Sequence, residues 1–243
     1  CLGKNINHWE IEYTLEDFKE LVTYSHKENM TPPPPIVTYY RNDYDGPLFS
    51  IMLRNFAPEE KTVTFATAMM VNAILPIDKV AITMDASVSK RTQEEWDKDE
   101  ELPMPSEDPT SVDVVWTNVM ERDGNVHSAG IEYSIEDKTG KLVWDKESQK
   151  QYEGVTKAET GGLITELVMG SFNADSKIMN KMVNVKNDGE RSVEYFTPLM
   201  TFLTSMDYIV MCSQYGDEFL KSLGITDTEF RTMDEYLDEL EEE

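Results

Sequence analysis

Carboxylates are the one abundant class of side chain in this sequence with chemical potential, and three of them have a geometric claim on one another. Asp85 leaves an apolar strand pattern spanning Lys79 to Met84, and Asp113 opens another that runs from Val112 to Glu121. If those strands pair antiparallel, both carboxylates stand at the same end of a sheet. Glu132, from the next strand, then falls about two residues along on the face of Asp113. Carboxylates at a sheet end suit Mg²⁺ or Mn²⁺, and a metal held there activates water for hydrolysis of a phosphoester. The cluster lacks the bases that a nuclease uses to hold its substrate, since Lys90 and Arg91 are the only nearby pair. Among 47 acids some will also lie near one another by chance.

Other chemistry is sparse. The sequence contains no GxGxxG, P-loop, GxSxG, HExxH or paired CxxC motif, so no organic cofactor is expected. Cys212 sits in an apolar pattern and reads as a buried thiol, with no reason to pair with a histidine. His8, His26 and His127 lie far apart, and His127 falls opposite Met120 at the open end of a strand pair, a structural position. Asp43-x-Asp45-Gly46 is a fragment of a calcium loop that lacks the remaining ligands, and an acidic turn accounts for it better. Gly161-Gly162 reads as a flexible lead-in to a helix. Nothing here singles out an enzyme, and the balance leans against one.

Net charge bounds the partners. The chain carries 22 Lys and Arg against 47 Asp and Glu, a formal charge of −25. Direct nucleic-acid binding needs basic groups to neutralise phosphates, so it is disfavoured, as is an anionic membrane surface. The stretch from Asp234 to Glu243 holds seven acids, and that from Glu94 to Asp108 holds eight acids with one lysine. The remainder still has 32 acids against 21 bases. Acid blocks of this kind read as solvated segments, an acidic loop over about 86–111 and a fraying tail over about 234–243. The longest uncharged run, Thr62 to Ile77, is 16 residues and too short for a membrane span of about 20 apolar residues. Two cysteines cannot build a disulfide framework, which favours a soluble, cytoplasmic setting. Cys1 as first residue is compatible with a cloning scar, the start of a fragment, or the lipid-anchored cysteine of a processed lipoprotein. A helix beginning by Thr14 leaves little tether for the last.

The elements that must position these residues read as one α+β domain over 1–243, with a largely antiparallel sheet, helices packed on one face and a helical C-terminal part from about 160. Thr14-Leu-Glu-Asp17 resembles a capping box for a helix to about Glu28, with Leu15, Phe18, Leu21 and Val22 as its apolar stripe. Pro32 to Pro35 ends it as a stiff connector. Ile36–Arg41 and Leu48–Phe56 read as strands around an acidic turn, and Pro58 starts a helix to Ile74. Val112–Glu121, Val126–Ile135 and Lys141–Asp145 read as a three-stranded meander. A two-residue turn at Asp123-Gly124 sets Val112 against Ile135, Val114 against Tyr133 and Trp116 against Ile131. A four-residue loop ending at Gly140 sets Leu142 against Ile135 and Trp144 against Tyr133. Helices are expected over 161–171, 175–185, 197–213, 217–223 and from Thr226 onward. Met69, Met70, Met179, Met182, Met200 and Met206 fall at or near core-facing helical positions, and methionine also suits adaptable binding grooves.

These features predict a non-enzymatic acidic protein that binds a protein partner or copies of itself, through a sheet face, a Met-rich groove or the acidic tail. Two alternatives stand beside it. One is a Mg²⁺- or Mn²⁺-dependent hydrolase using Asp85, Asp113 and Glu132. The other is a DNA mimic or binder of basic partners, since spaced carboxylates imitate phosphates.

Overall fold

A computed structural model describes residues 9–91, 108–136, 139–158, 162–173 and 188–225. The acidic tail, the helices expected over 175–185 and from Thr226, Cys1, His8, Met179, Met182 and most of the acidic loop lie outside the described residues. Among the described residues eight strands, all paired antiparallel, form one sheet, and six helices pack around it, so the α+β class holds. In chain order these are α1 (Trp9–Lys27), β1 (Ile36–Tyr40), β2 (Phe49–Met52), α2 (Lys61–Ile74), β3 (Lys79–Ser89), β4 (Ser111–Glu121), β5 (Asn125–Glu136), β6 (Lys141–Asp145), α3 (Gln149–Tyr152), β7 (Gly154–Lys157), α4 (Leu163–Asn173), α5 (Asp188–Ser205), β8 (Ile209–Cys212) and α6 (Gln214–Ser222). The strand order is β6-β5-β4-β3-β1-β2-β8, and β7 pairs with the first half of β5 beside β6.

The helices divide between the two faces. All five residues of β1 are buried, so the strand must be covered on both sides. Val37 and Tyr39 join Phe49, Ile51, Val80 and Ile82 against α2, α4, α5 and α6. Ile36 and Tyr40 face the other way, where α1 lies across β3, β4 and β5. The expected stripe of Leu15, Phe18, Leu21 and Val22 is buried there against Ile36, Met52, Val115, Ile131 and Met211. The expected capping box is not one: α1 begins at Trp9, and the Thr14 hydroxyl donates back to Glu10 O at 2.9 Å. Thr14 Oγ1 also lies 3.2 Å from Thr117 Oγ1, which is 2.7 Å from Thr83 Oγ1, a buried hydroxyl chain that ties α1 to β4 and β3. Lys79 adds an ion pair to Glu10 at 2.6 Å.

The meander forms, but its first register differs by one residue. β4 and β5 pair Asp113 with Tyr133, Val115 with Ile131 and Trp116 with Gly130. Their connection has three residues, Arg122 to Gly124, because Gly124 takes a φ of 89° and donates its N–H to Glu121 O at 2.9 Å. This is a turn completed by a left-handed glycine. Arg122 leaves the ladder for a tertiary reason: its guanidinium donates to Ile77 O at 3.0 and 2.7 Å and to Phe172 O at 3.0 Å. One residue of slip reverses the face of every side chain in a strand relative to its partner. Trp116 therefore turns to the α3 side, against Tyr152, and leaves the face of Ile131 and Tyr133. Gly130, across from Trp116, makes the room, since a Cβ there would lie 3.2 Å from Tyr152. The second connection matches expectation, with Gly140 at φ 64°, Ile135 opposite Leu142 and Tyr133 opposite Trp144.

The helix expected over 197–213 is also replaced. α5 starts before Thr197, carries Pro198 inside it and ends by Ser205, and Ile209–Cys212 is a strand. Asp207 adopts φ 63°, and Tyr208 donates its N–H to Leu203 O at 3.1 Å, a left-handed helix stop. Burial of Phe196, Leu199, Met200 and Leu203 outweighs the hydrogen bond that proline removes from the helix. Of the methionines expected toward the core, Met69 and Met200 are buried, whereas Met70 and Met206 are exposed.

Candidate functional site

Asp85 and Asp113 do share a face. β3 continues through Ser89, so Asp85 lies inside the strand and not at its exit, opposite Val115. Asp113 pairs with Ser87, two residues further along β3, which places both carboxylates on the α1 side of the sheet in adjacent strands. The Ser87 hydroxyl donates to Asp113 Oδ1 at 3.1 Å. Glu132 does not join them. It pairs with Val114, so the one-residue register difference carries it to the opposite face. There Tyr152 donates its hydroxyl to Glu132 Oε1 at 2.8 Å, and the same oxygen pairs with Lys90.

Tyr133 takes the place beside Asp113 that the expected register gave to Ser134, and Ile131 stands opposite Val115 where Glu132 was expected. Tyr133 donates its hydroxyl to Asp85 Oδ2 at 2.8 Å. Its ring packs on Trp144 at 5.2 Å, and Lys19 of α1 stands 5.4 Å above the indole. Burial pushes the Asp85 carboxyl above its ordinary pKa, the Tyr133 hydrogen bond partly opposes this, and the charge of Asp113 pushes it up further. Burial and the neighbouring Asp85 likewise push the Tyr133 phenol up, so Tyr133 remains a donor at neutral pH.

Among the described residues neither Asp85 nor Asp113 has a basic partner, and this sets them apart from other fixed acids. Asp43, in the turn that joins β1 to β2, accepts from two nitrogens of Arg41 at 2.7 and 2.8 Å. Asp108 is buried and accepts from Arg91 at 2.6 Å, from Ser89 at 2.7 Å and from the backbone and hydroxyl of Thr110. These bonds hold its carboxyl well below the usual range. The base of the expected loop over 86–111 is thus built structure, strand as far as Ser89 and clamped at Asp108.

The remaining candidates are structural. His127 is buried on the α1 side, opposite Val119 and not Met120, with Nε2 3.4 Å from Glu121 Oε2. His26 Nε2 lies 2.6 Å from Gly140 O. Cys212 is a buried thiol on β8, and burial pushes its pKa up to about 12, so it is protonated at neutral pH and a poor nucleophile. Among the described residues, no group of three or more His, Cys, Asp or Glu is arranged to hold a metal, and no helix is long and apolar enough to cross a membrane.

No family model, curated protein or solved structure matches the chain. The reading of the site therefore rests on its chemistry: a half-buried carboxylate, a second beside it and an aromatic pair, with no basic partner to either carboxylate among the described residues.

The Asp85 environment makes a signed prediction. A carboxyl whose pKa is raised in the folded state costs stability above that folded value, and the cost is relieved as pH falls toward the unfolded value. Asp85→Asn keeps an oxygen for Tyr133 and removes the charge, so it is expected to raise the melting temperature at neutral pH. The gain should shrink toward zero near pH of about 4, where the wild-type carboxyl also binds a proton. Thermal unfolding of both proteins across that range checks this, and a lower melting temperature for the variant at neutral pH would contradict it.

Proposed function

We propose that this is a non-catalytic binding protein whose α1-side sheet face takes a basic segment of a partner protein. The observation that carries the reading is the Asp85–Asp113 pair, on one face and without a base among the described residues, while neighbouring fixed acids have one. A partly buried charge without a counter-charge is unfavourable, and a partner's lysine or arginine supplies it. Tyr133 and Trp144 add aromatic faces that attract a cation. The formal charge of −25 steers such a partner into encounter and repels a second copy of this chain from the same face. A protein that normally binds a phosphate backbone is one partner of this chemistry, since spaced carboxylates resemble phosphates.

Fluorescence anisotropy with a labelled lysine- and arginine-rich peptide tests the reading. Binding should weaken steeply between about 20 and about 200 mM salt, as screening of exposed charge requires. The double variant Asp85→Asn, Asp113→Asn should lose about tenfold in affinity or more. Asp145→Asn, an exposed acid on the other face, should change little. Salt-insensitive binding, or equal loss in the control, would remove the proposal. The hydrolase alternative, with Mg²⁺ or Mn²⁺, is left with two carboxylates. A calorimetric Mn²⁺ titration showing one stoichiometric site, abolished in the double variant, would favour it over the peptide reading.

A further inference from the structure

Pro32 to Pro35, between α1 and β1, have a backbone fixed by covalent geometry. Each pyrrolidine ring locks φ near about −65°, and Thr31, Pro32, Pro33 and Pro34 each precede a proline, which keeps them out of the helical region. The peptide bonds are trans, and the segment carries neither helix nor strand. It is therefore a short polyproline II strand, formed before any partner arrives. Among the described residues the carbonyls of residues 31–34 accept no hydrogen bond. Both ends are anchored. α1 closes in a left-handed stop, where Asn29 has φ 54° and donates its N–H to His26 O at 3.3 Å, and Met30 donates to Ser25 O at 2.8 Å. At the other end Pro35 O accepts from the N–H of Leu53, just past β2, at 2.9 Å.

Met30 supplies a second observation. In a helix stop of this kind the residue after the left-handed one commonly packs on an apolar side chain in the last turn. Here that position is Ser25, and Met30 is 49% exposed. Thr31 and Pro32 are exposed as well, and Pro33 to Pro35 are half-buried. With three residues per turn, a strand that rests on the body along one edge keeps its other edges toward solvent. An exposed apolar side chain and a ready-made extended strand with open carbonyls thus stand next to each other.

We propose that residues 30–34 form a docking strand for a folded domain of a partner protein, one whose groove is walled by tryptophan and tyrosine. The proline rings lie against the aromatic walls, the indole N–H and phenol O–H donate to the open carbonyls, and Met30 fills a pocket at the end of the groove. The rim of that groove carries lysine or arginine, because a chain of formal charge −25 repels an acidic surface. The strand loses little freedom on binding, since proline has already fixed it. This goes beyond the basic-segment reading and does not depend on it, because none of these residues belongs to the Asp85 site.

The test is NMR titration of the full, isotope-labelled chain with purified SH3, WW and EVH1 domains, which read polyproline II through aromatic grooves. At least one should bind saturably. Its shifts should centre on the amides of Met30, Thr31 and Ile36, since the prolines between them have no N–H. The double variant Pro32→Ala, Pro33→Ala should weaken that complex about tenfold or more, through lost ring contact and a looser strand. Met30→Ala should weaken it to a similar extent, about tenfold, and at an exposed position it leaves the fold intact should the proline variant lose stability. Ile135→Ala, at an equally exposed apolar residue of β5, should leave affinity unchanged. The proposal is overturned if none of the domains binds, if the shifts map away from residues 30–36, or if Met30→Ala and the proline variant bind as tightly as the wild type.

Discussion

Gly216→Ala is expected to lower the melting temperature by about 4–8 °C, corresponding to a net loss of about 2 kcal/mol or more. Two effects of opposite sign meet at this residue. Gly216 lies within α6, where alanine is favoured over glycine by about 1 kcal/mol in helix propensity. Space decides against it. A Cβ at Gly216 would lie 2.0 Å from Leu48 O and 2.7 Å from Cys212 Sγ. Overpacking costs about 1–3 kcal/mol and sometimes more, and here the obstacle is backbone, which cannot rotate away. Leu48 O is also the acceptor for Ser213 N–H at 3.1 Å, and Ser213 caps α6 by accepting from Gly216 N–H at 3.1 Å. Moving α6 outward therefore strains the cap and the junction of β8 with the loop before β2. Urea unfolding measures the loss, and a variant as stable as the wild type would show that α6 does not pack this closely.

Phe18→Ala is expected to cost about 3–5 kcal/mol, on the order of 10 °C in melting temperature. Phe18 is 1% exposed and stands at the centre of the layer that α1 makes with Ile36, Met52, Val115, Ile131 and Met211. Those five residues come from five different strands, so the cavity left by truncation cannot close by moving one element. The sheet face beneath the rest of α1 is unusually polar, with Thr83, Thr117, His127 and the Lys79–Glu10 pair buried against it. Ile11 and Trp9 add a second, smaller apolar contact on Tyr40, Ala81, Val119 and Ala129, and Phe18 is the largest member of the main stripe. Denaturant unfolding gives the magnitude, and hydrogen exchange locates it. Loss confined to α1 amides would make the helix a separable layer, whereas protection falling throughout the sheet would make it part of one cooperative core. A loss below about 1 kcal/mol would show that α1 is not anchored through this stripe.

The candidate site shows how a single local decision propagates. Asp123-Gly124 has the composition of a two-residue turn, and that reading aligned the large side chains of the meander on one face. The alignment was self-consistent and off by one residue. The three-residue turn is selected by Arg122, whose guanidinium bonds to carbonyls of residues 77 and 172, far away in sequence. No periodicity or turn preference carries that information. Its consequence is chemical, since Glu132 leaves the face of Asp113 and Tyr133 comes onto it, so that a three-carboxylate arrangement becomes two carboxylates with an aromatic pair. Gly130 was the available signal: a glycine inside a strand marks close approach, and here it admits Tyr152. β8 was hidden for a similar reason. Its four residues continue the apolar helical spacing of α5, and only the left-handed Asp207 and the free edge of β2 turn them into a strand.

By itself the sequence determined the quantities that are local or additive. Net charge, the α+β class, the apolar stripe of α1, the left-handed glycine at 140 and the placing of Asp85 and Asp113 on neighbouring antiparallel strands all follow from composition, alternation and turn chemistry. Tertiary structure decided whatever depends on contacts between distant segments: the register of β4 on β5, the placing of α1 opposite the other helices, and the identity of the groups around the acid pair. Alternation specifies that a strand has two faces but not which one meets which layer, and a side chain's face is settled only when a partner strand fixes the register. The same holds for charge. The formal value of −25 is a sum, whereas the lack of a base beside Asp85 among the described residues is a property of place.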